Sequence, residues 1–237
     1  MSSDLVRTDD PGPGGDEETT AQAVVDAVLP LLRGRLHQVC FFLSFPAGLF
    51  VVANAGSPRA RVAAIVYAIG LSTLFAVSAT YHRRVWSPAA RSRMKRLDHG
   101  TIFVMIAANY TPLCLLALDG SLGGRILLAV WLAAAAGFIL ALVGIAEKAV
   151  VGLVIYIGLG WFILLALPEL TRKLSTVDLS LLLVGGLLYT VGCIFMGTRW
   201  PDPYPAIFGY HEVWHVMVVA AAACHYVVIL TVVRTAA

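Results

Sequence analysis

Charged side chains are scarce in this chain. Of its 237 residues only 13% are Asp, Glu, Lys or Arg, while 59% are hydrophobic, and the mean hydropathy is +0.83. A soluble domain of this size carries about 25% charged residues. Because so few charges cannot cover the surface of a water-soluble fold, the composition indicates an integral membrane protein. The net charge of +3 predicts no nucleic-acid partner.

Cysteine frameworks and export signals are also missing. The chain has four cysteines, none in a CxxC pair and all within apolar runs, so we expect buried, unpaired thiols. The first 20 residues are acidic and lack the basic and apolar segments of a cleavable signal peptide. We therefore expect residues 1–20 to form a disordered acidic tail, and the first transmembrane helix to direct insertion.

Long apolar runs, in contrast, are abundant. A bilayer core about 30 Å thick requires roughly 20 apolar residues of helix. Seven runs meet this requirement: Leu36–Ala55, Val62–His82, Gly100–Leu118, Gly124–Ile145, Ala149–Leu167, Leu179–Gly197 and His211–Val233. The pattern predicts an all-α fold, a seven-transmembrane helix bundle over residues 36–237, and gives no oligomeric state. Residues 21–35 are too short to span, and form either an amphipathic helix at the membrane interface or a lead-in to the first span.

Basic residues predict the orientation of the bundle. With seven spans, the N-terminus and the second, fourth and sixth loops share one side of the membrane. That side carries eleven of the 17 Lys and Arg residues, six of them between residues 83 and 96. The positive-inside rule then places the N-terminus in the cytoplasm and the C-terminus outside. We expect a multi-pass protein of the plasma membrane whose neighbours are membrane lipids.

Three histidines are expected at one end of the bundle. His211 and His215 are four residues apart, so both imidazoles lie on one face of the seventh span. His82 ends the second span, and Asp98 precedes the third. The second span ends where the third and seventh begin, so these residues occupy one layer in either orientation. Ser78 lies one turn deeper than His82, on the same face.

Three imidazoles with one open position are typical of a catalytic zinc site. We therefore predict that His82, His211 and His215 bind Zn²⁺, and that Ser78 and Asp98 hold a water at the open position. Separate interfacial histidines satisfied by loops are the alternative. Nickel, cobalt and copper also bind three imidazoles, so the residues leave the metal open.

The other histidines have different predicted roles. His37, at the start of the first span, is expected to be an interfacial anchor. His99 points about 100° away from Asp98 and is excluded from the site. His225 lies ten residues beyond His215, about 15 Å along a helix, and we expect a hydrogen-bonding role in the core rather than a second metal site.

The sequence from His211 to His215 also fits the HExxH motif of zinc proteases, in which the glutamate is the general base. Intramembrane metalloproteases add an Asn-Pro and Asp-Gly segment, which Asn109, Pro112 and Asp119 resemble superficially. Here that segment precedes the histidines, and Asp119 falls at the opposite membrane face. The protease interpretation is therefore disfavoured. A receptor interpretation from span number alone has no support, since fold does not imply function.

Four ordered motifs carry a family resemblance. They are Pro30-Leu-Leu-Arg-Gly-Arg-Leu-His37, Ser78-Ala-Thr-Tyr-His82, Leu97-Asp-His-Gly-Thr-Ile-Phe103 with Tyr110-Thr-Pro112, and Phe208-Gly-Tyr-His-Glu-Val-Trp-His215 with Cys224-His-Tyr226. Together they resemble the hemolysin III family, within the wider progestin and adipoQ receptor superfamily. The resemblance implies zinc held by His82, His211 and His215, with Ser78 and Asp98 in the same site. Ala108 and Asn109 depart from it, since the family more often has glycine and a small hydroxyl residue there.

Three functions are compatible with these features. The first is a zinc-dependent membrane hydrolase acting on a lipid amide or ester, with Asp98 as general base and Ser78 orienting the water or the oxyanion. The second is a non-catalytic membrane-homeostasis or receptor-like protein in which zinc is structural. The third, suggested by the family's name, is a cytolysin, although the spans show no polar stripe for a conducting pore.

Overall fold

The computed structural model describes residues 30–145 and 149–236 of the chain. Within these ranges seven helical segments are long and apolar enough to cross a membrane. The same ranges contain no β-strand, and their β-type pairing is limited to one isolated bridge between Tyr204 and Phe208. The predicted all-α, seven-span architecture is confirmed.

The helices follow the predicted order. They are α1 (Arg35–Ala53), α2 (Pro58–Arg83), α3 (Pro88–Pro112), α4 (Gly120–Leu142), α5 (Ala149–Trp161), α6 (Leu167–Lys173), α7 (Thr176–Thr198) and α8 (Tyr210–Thr235). A π-helical turn, Leu113–Ala117, extends α3, and a 3₁₀ turn, Phe162–Ala166, joins α5 to α6 in the fifth span. The predicted acidic tail, residues 1–20, and most of the predicted interfacial segment, residues 21–35, lie outside the described part of the chain. Residues 31–34, which are described, form a turn.

Helix α3 begins twelve residues earlier than the apolar pattern predicted, at Pro88 rather than Gly100. Proline suits the first turn of a helix, because the amide hydrogen that it lacks would have no partner there. The residues that follow include four basic side chains, which a hydropathy pattern excludes from a span although they are good helix formers. The basic segment predicted to be a loop is therefore mostly a polar extension of the third span.

A tyrosine from α3 supplies hydrogen-bond partners to the backbone groups that the interruption of the fifth span leaves unpaired. The hydroxyl of Tyr110 lies 2.8 Å from the carbonyl oxygens of Leu159 and Gly160, to which it can donate, and it accepts from the backbone N–H of Ile163 at 2.7 Å. Backbone groups inside a membrane protein need such partners when a helix is interrupted. The interruption therefore depends on packing between the third and fifth spans.

Helix α8 packs against α7 and also contacts α1, α2 and α3, while consecutive helices from α1 to α4 pack in turn. Small residues permit these close approaches. A Cβ at Gly70 of α2 would lie 2.4 Å from the Cβ of Ala108 on α3, so the two backbones meet there. The C-terminal end of α2 lies beside the starts of α3 and α8 at one end of the bundle, which we call the histidine end.

Candidate metal centre and membrane cavity

The structure brings His82, His211 and His215 together at the histidine end. One ring nitrogen from each lies within 4.8 Å of the others, and the Nε2 atoms of His82 and His211 are 3.2 Å apart. His215 is buried, and the other two are partly buried. Among the described residues this is the group of histidine, cysteine and carboxylate side chains that could hold one metal ion.

The chemistry and spacing of this group fit zinc. Imidazole nitrogens bind zinc at about 2.05 Å, and two such ligands of a tetrahedral ion are about 3.4 Å apart. The Nε2–Nε2 distance of 3.2 Å between His82 and His211 matches that spacing without a change of helix position. Three neutral nitrogen donors leave a fourth position for water or substrate, as in catalytic zinc sites.

The first turn of α8 is fixed by carboxylates, which sets the positions of His211 and His215. Glu212 accepts a hydrogen bond from the backbone N–H of Gly209 at 2.8 Å, and Asp202 accepts one from Tyr210 at 2.9 Å. Both occupy the N-terminus of the helix, where unpaired N–H groups and the helix dipole favour negative charge. The buried Glu212 also forms an ion pair with Arg33.

This use of Glu212 explains why HExxH is misleading here. The carboxylate is 3% exposed, binds Arg33 and the helix N-terminus, and does not line the cavity described below. The general base of a zinc protease must instead reach the water to be activated. Asp119, at the other end of the bundle, forms a 2.7 Å ion pair with Lys173, away from the histidines as the topology predicted.

Asp98 and Ser78 lie beside the histidines. A carboxylate oxygen of Asp98 is 3.9 Å from Nε2 of His82, and its backbone carbonyl accepts a hydrogen bond from Thr101. Ser78 is 3% exposed, and its hydroxyl lies 2.8 Å from Nδ1 of His37. Both line the same cavity as the three histidines, and their contacts with His82 and His37 place them beside those histidines.

His37 is a member of this layer that sequence reasoning missed, since we expected an interfacial anchor. It is 3% exposed, and its ring stacks on His215 with centroids 3.8 Å apart and an interplanar angle of 15°. The turn before α1 packs closely against the end of α2. Gly34 has φ of +73°, and a Cβ there would come within 2.6 Å of the Cβ of His82. The signal available in the sequence was this glycine, three residues before the histidine.

A cavity of about 540 Å³ extends from the histidine end into the bundle. Its wall combines the site residues with apolar side chains, among them Ile102, Met105 and Val218. Ligand cavities typically have this composition, mostly apolar with a few converging polar groups. The volume and lining suit the apolar chain of a lipid with its polar end at the histidines.

His225 lies at the inner part of this cavity. Its Nε2 is 3.2 Å from the carbonyl oxygen of Leu182, and its Nδ1 is 3.3 Å from the amide nitrogen of Asn109. The predicted hydrogen-bonding role of His225 is confirmed by these contacts. His99 lines the cavity near Asp98 but is not one of the three clustered ligands, and its carbonyl accepts from Tyr156 at 3.0 Å.

These features define a class: a multi-pass, all-helical membrane protein with a histidine cluster at one end of an internal cavity. Comparison with known families is more specific. The model of the Haemolysin-III related family matches residues 26–226, and the chain belongs to that family.

Individual relatives agree with this assignment. The chain is 32% identical to Hemolysin-3 of Bacillus cereus over 198 residues, which is 82% of this chain and 87% of the relative. It is 29% identical over 197 residues to the Hemolysin-3 homolog of Bacillus subtilis (strain 168), covering 82% and 89%. Human Monocyte to macrophage differentiation factor is 30% identical over 173 residues, covering 70% and 68%. No solved structure matches the chain.

Proposed function

We propose that this protein is a zinc-dependent membrane hydrolase acting on a lipid amide or ester. The observation that carries the proposal is the placement of three histidines, Asp98 and Ser78 at one end of a largely apolar cavity of about 540 Å³. Such a cavity suits an acyl chain, and the polar layer suits the bond next to it. Membership of the Haemolysin-III related family is compatible with the proposal but names no reaction.

The zinc ion would be held by His82, His211 and His215, whose neutral imidazole rings each offer one nitrogen donor. When bound there, zinc would act as a Lewis acid on an acyl carbonyl and acidify water. The carboxylate of Asp98 accepts the proton of the attacking water while the oxygen adds to the carbonyl carbon. Asp98 then returns that proton to the amine or alcohol that leaves. The Ser78 hydroxyl donates a hydrogen bond to the water or to the carbonyl oxygen.

The test is turnover of fluorogenic lipid amides and esters by the purified, zinc-loaded protein, with Asp98→Asn beside wild type. Loss of a general base lowers the rate by about 10² to 10⁴. Asp119→Asn is the matched control, because Asp119 lies in an exposed ion pair with Lys173 at the opposite end. Full turnover by Asp98→Asn would remove the base from the mechanism, and no turnover by wild type would oppose the hydrolase itself.

A structural role for zinc is the second candidate. The favouring observation is that the three histidines come from two helices, α2 and α8, so an ion would tie the second span to the seventh. This function predicts that metal removal lowers the thermal unfolding temperature while the zinc-loaded protein turns over no lipid. The hydrolase predicts both the lower unfolding temperature and the turnover.

The name of the Bacillus cereus relative, Hemolysin-3, favours membrane lysis as a third candidate. Dye release from liposomes at low ratios of protein to lipid tests it. Release by wild type that persists in Asp98→Asn would favour lysis over hydrolysis, because the proposed base would then be irrelevant to the activity.

The site also has a proposed location in the cell. We propose a plasma-membrane protein with its N-terminus in the cytoplasm, supported by the concentration of basic residues in the loops that share the N-terminal side. The histidine end would then face the cytoplasm, where the basic start of α3 contacts anionic lipid head groups.

A further inference from the structure

A second polar group lies inside the cavity, away from the histidines. It consists of Asn109 on α3, Tyr189 on α7 and His225 on α8, which we call the inner polar cluster, and all three residues line the cavity. His225 follows His215 by ten residues, and Asn109 follows Asp98 by eleven, so both helices place the cluster about 15 Å from the metal centre.

Hydrogen bonding fixes the orientation of the Asn109 amide. The carbonyl oxygen of Leu182 can only accept, so Nε2 of His225, 3.2 Å away, carries the proton. In the neutral ring Nδ1 is then an acceptor, and it accepts from the amide nitrogen of Asn109 at 3.3 Å. The side-chain oxygen of Asn109 is therefore the free end of the amide.

Two buried polar atoms in this cluster lack partners. Among the described residues, neither the side-chain oxygen of Asn109 nor the hydroxyl of Tyr189 has a hydrogen-bond partner, although both atoms are buried. The hydroxyl lies close to the side chain of Asn109. Buried polar groups without partners are costly and rare in folded proteins, so a pair of them beside one cavity points to a ligand group.

The cluster is held in place by packing. The ring of His225 fits against Gly185, where a Cβ would lie 2.4 Å from two of its ring atoms. Tyr189 meets His225 edge to face, with ring centroids 5.6 Å apart. This packing confines the ring of Tyr189, and the hydrogen bond to His225 holds the amide of Asn109.

The chemistry of the two atoms selects the ligand group. The amide oxygen of Asn109 only accepts, whereas the hydroxyl of Tyr189 donates and accepts. A hydroxyl complements both, because it donates to Asn109 and accepts from Tyr189. A carboxylate would face the lone pairs of the amide oxygen, and a methyl group would leave both atoms unsatisfied.

We propose that the cavity binds a lipid whose acyl chain carries a hydroxyl about 15 Å from its carbonyl end, and that Asn109 and Tyr189 bind this hydroxyl. Ile102, Met105 and Ile106 of α3 lie between Asp98 and Asn109 in the sequence and line the cavity, which suits the apolar chain between the two polar ends. This inference rests on the proposed function only in placing the carbonyl end at the histidines. Asn109 stands where the family resemblance expects a small hydroxyl residue, so the preference would belong to this chain.

The experiment measures binding rather than turnover. Fatty acids with a terminal hydroxyl and plain fatty acids of equal length, over a series of lengths, compete with a fluorescent fatty acid for the full-length protein in nanodiscs. At the matching length, wild type is expected to bind the hydroxylated acid about fivefold to tenfold more tightly. Tyr189→Phe removes one hydroxyl and is expected to reduce that ratio towards one.

Tyr156→Phe is the matched control. Tyr156 lines the same cavity, but its hydroxyl already donates to the carbonyl of His99, so the preference should persist in this variant. Equal binding of both acids by wild type would overturn the inference, as expected if a buried water satisfies the cluster. A preference unchanged in Tyr189→Phe would also overturn it. A tyrosine-dependent preference without lipid turnover would support the inference while opposing the hydrolase.

Discussion

At the residue scale, the histidine end is a layered arrangement. The ring nitrogens of His82, His211 and His215 lie close to one another. The ring of His37 stacks on His215, and its Nδ1 lies beside the Ser78 hydroxyl. Residues behind a metal ligand fix the orientation of its ring, and their loss typically weakens metal binding 10- to 100-fold. The candidate site therefore includes the start of α1 as well as α2 and α8, which carry the three histidines.

Metal content is the first prediction at this scale. We expect about one zinc per chain in detergent-purified wild type, and loss of bound metal in His82→Ala and in His211→Ala, because two imidazoles hold zinc far less tightly than three. Elemental mass spectrometry provides the measurement. His99→Ala is the control, since His99 is outside the three-ligand group and should retain metal.

Wild type without metal, prepared in the absence of chelators, would contradict the zinc site. Retention of zinc by both histidine variants would place the metal elsewhere. Zinc lost from only one variant would mean that the second and seventh spans do not share the ion.

At the element scale, the segment before α1 is attached to the loop before α8. The backbone N–H groups of Leu31 and Leu32 donate to the carbonyls of Ala206 and Ile207 at 3.0 and 3.1 Å. Arg33 pairs with the buried Glu212, one residue after His211. This connection holds the first and seventh spans together where His37 and His215 stack.

Glu212→Gln tests the role of this connection. Removing one partner of a buried ion pair leaves the other charge uncompensated, which destabilises a protein by about 3 kcal/mol. We expect a lower thermal unfolding temperature in detergent, with turnover per zinc-loaded molecule retained. Glu169→Gln, at the opposite end and half-buried, should change the unfolding temperature less.

The protease interpretation makes the opposite prediction for Glu212→Gln. If the glutamate were the general base of an HExxH site, the variant would stay folded and bind zinc but lose activity by a factor of about 10² or more. The ratio of activity to bound zinc separates the two interpretations.

At the scale of the whole molecule, the cavity is a product of how the spans pack. Helices α3, α5, α7 and α8 all contribute to its wall, together with the start of α1 and the C-terminal part of α2. The three clustered histidines and the inner polar cluster lie at different depths of this one cavity. A lipid that occupies it would contact both, so its orientation relative to the membrane follows from the orientation of the protein.

Orientation is testable with single exposed cysteines. We expect a membrane-impermeant maleimide to label Ser121→Cys in intact cells, and Ser87→Cys only after permeabilisation, because the basic second loop should stay in the cytoplasm. Both serines are exposed, and the four native cysteines lie in helical spans, so the parent protein is the background control. The reverse labelling pattern would place the histidine end outside.

Much of the fold followed from the sequence because span formation is a local property. Roughly 20 consecutive apolar residues suffice to cross a bilayer, so seven spans could be counted without knowing their neighbours. The order of the spans then placed four residues in one layer, because the second span ends at the membrane face where the third and seventh spans begin. These residues are His82, Asp98, His211 and His215. Hydropathy failed where a helix continues beyond the apolar region, as at Pro88 of α3, and it did not reveal the interruption of the fifth span.

The position of each helix in the membrane plane was decided by the tertiary structure alone. Which helices are neighbours, and how each is rotated, depends on packing between small residues such as Gly70 and Ala108, which no single run reveals. For that reason the stacking of His37 on His215 and the pairing of Arg33 with Glu212 could not be predicted from the sequence. The inner polar cluster draws on three helices far apart in sequence, which only the packing of the bundle brings to one cavity.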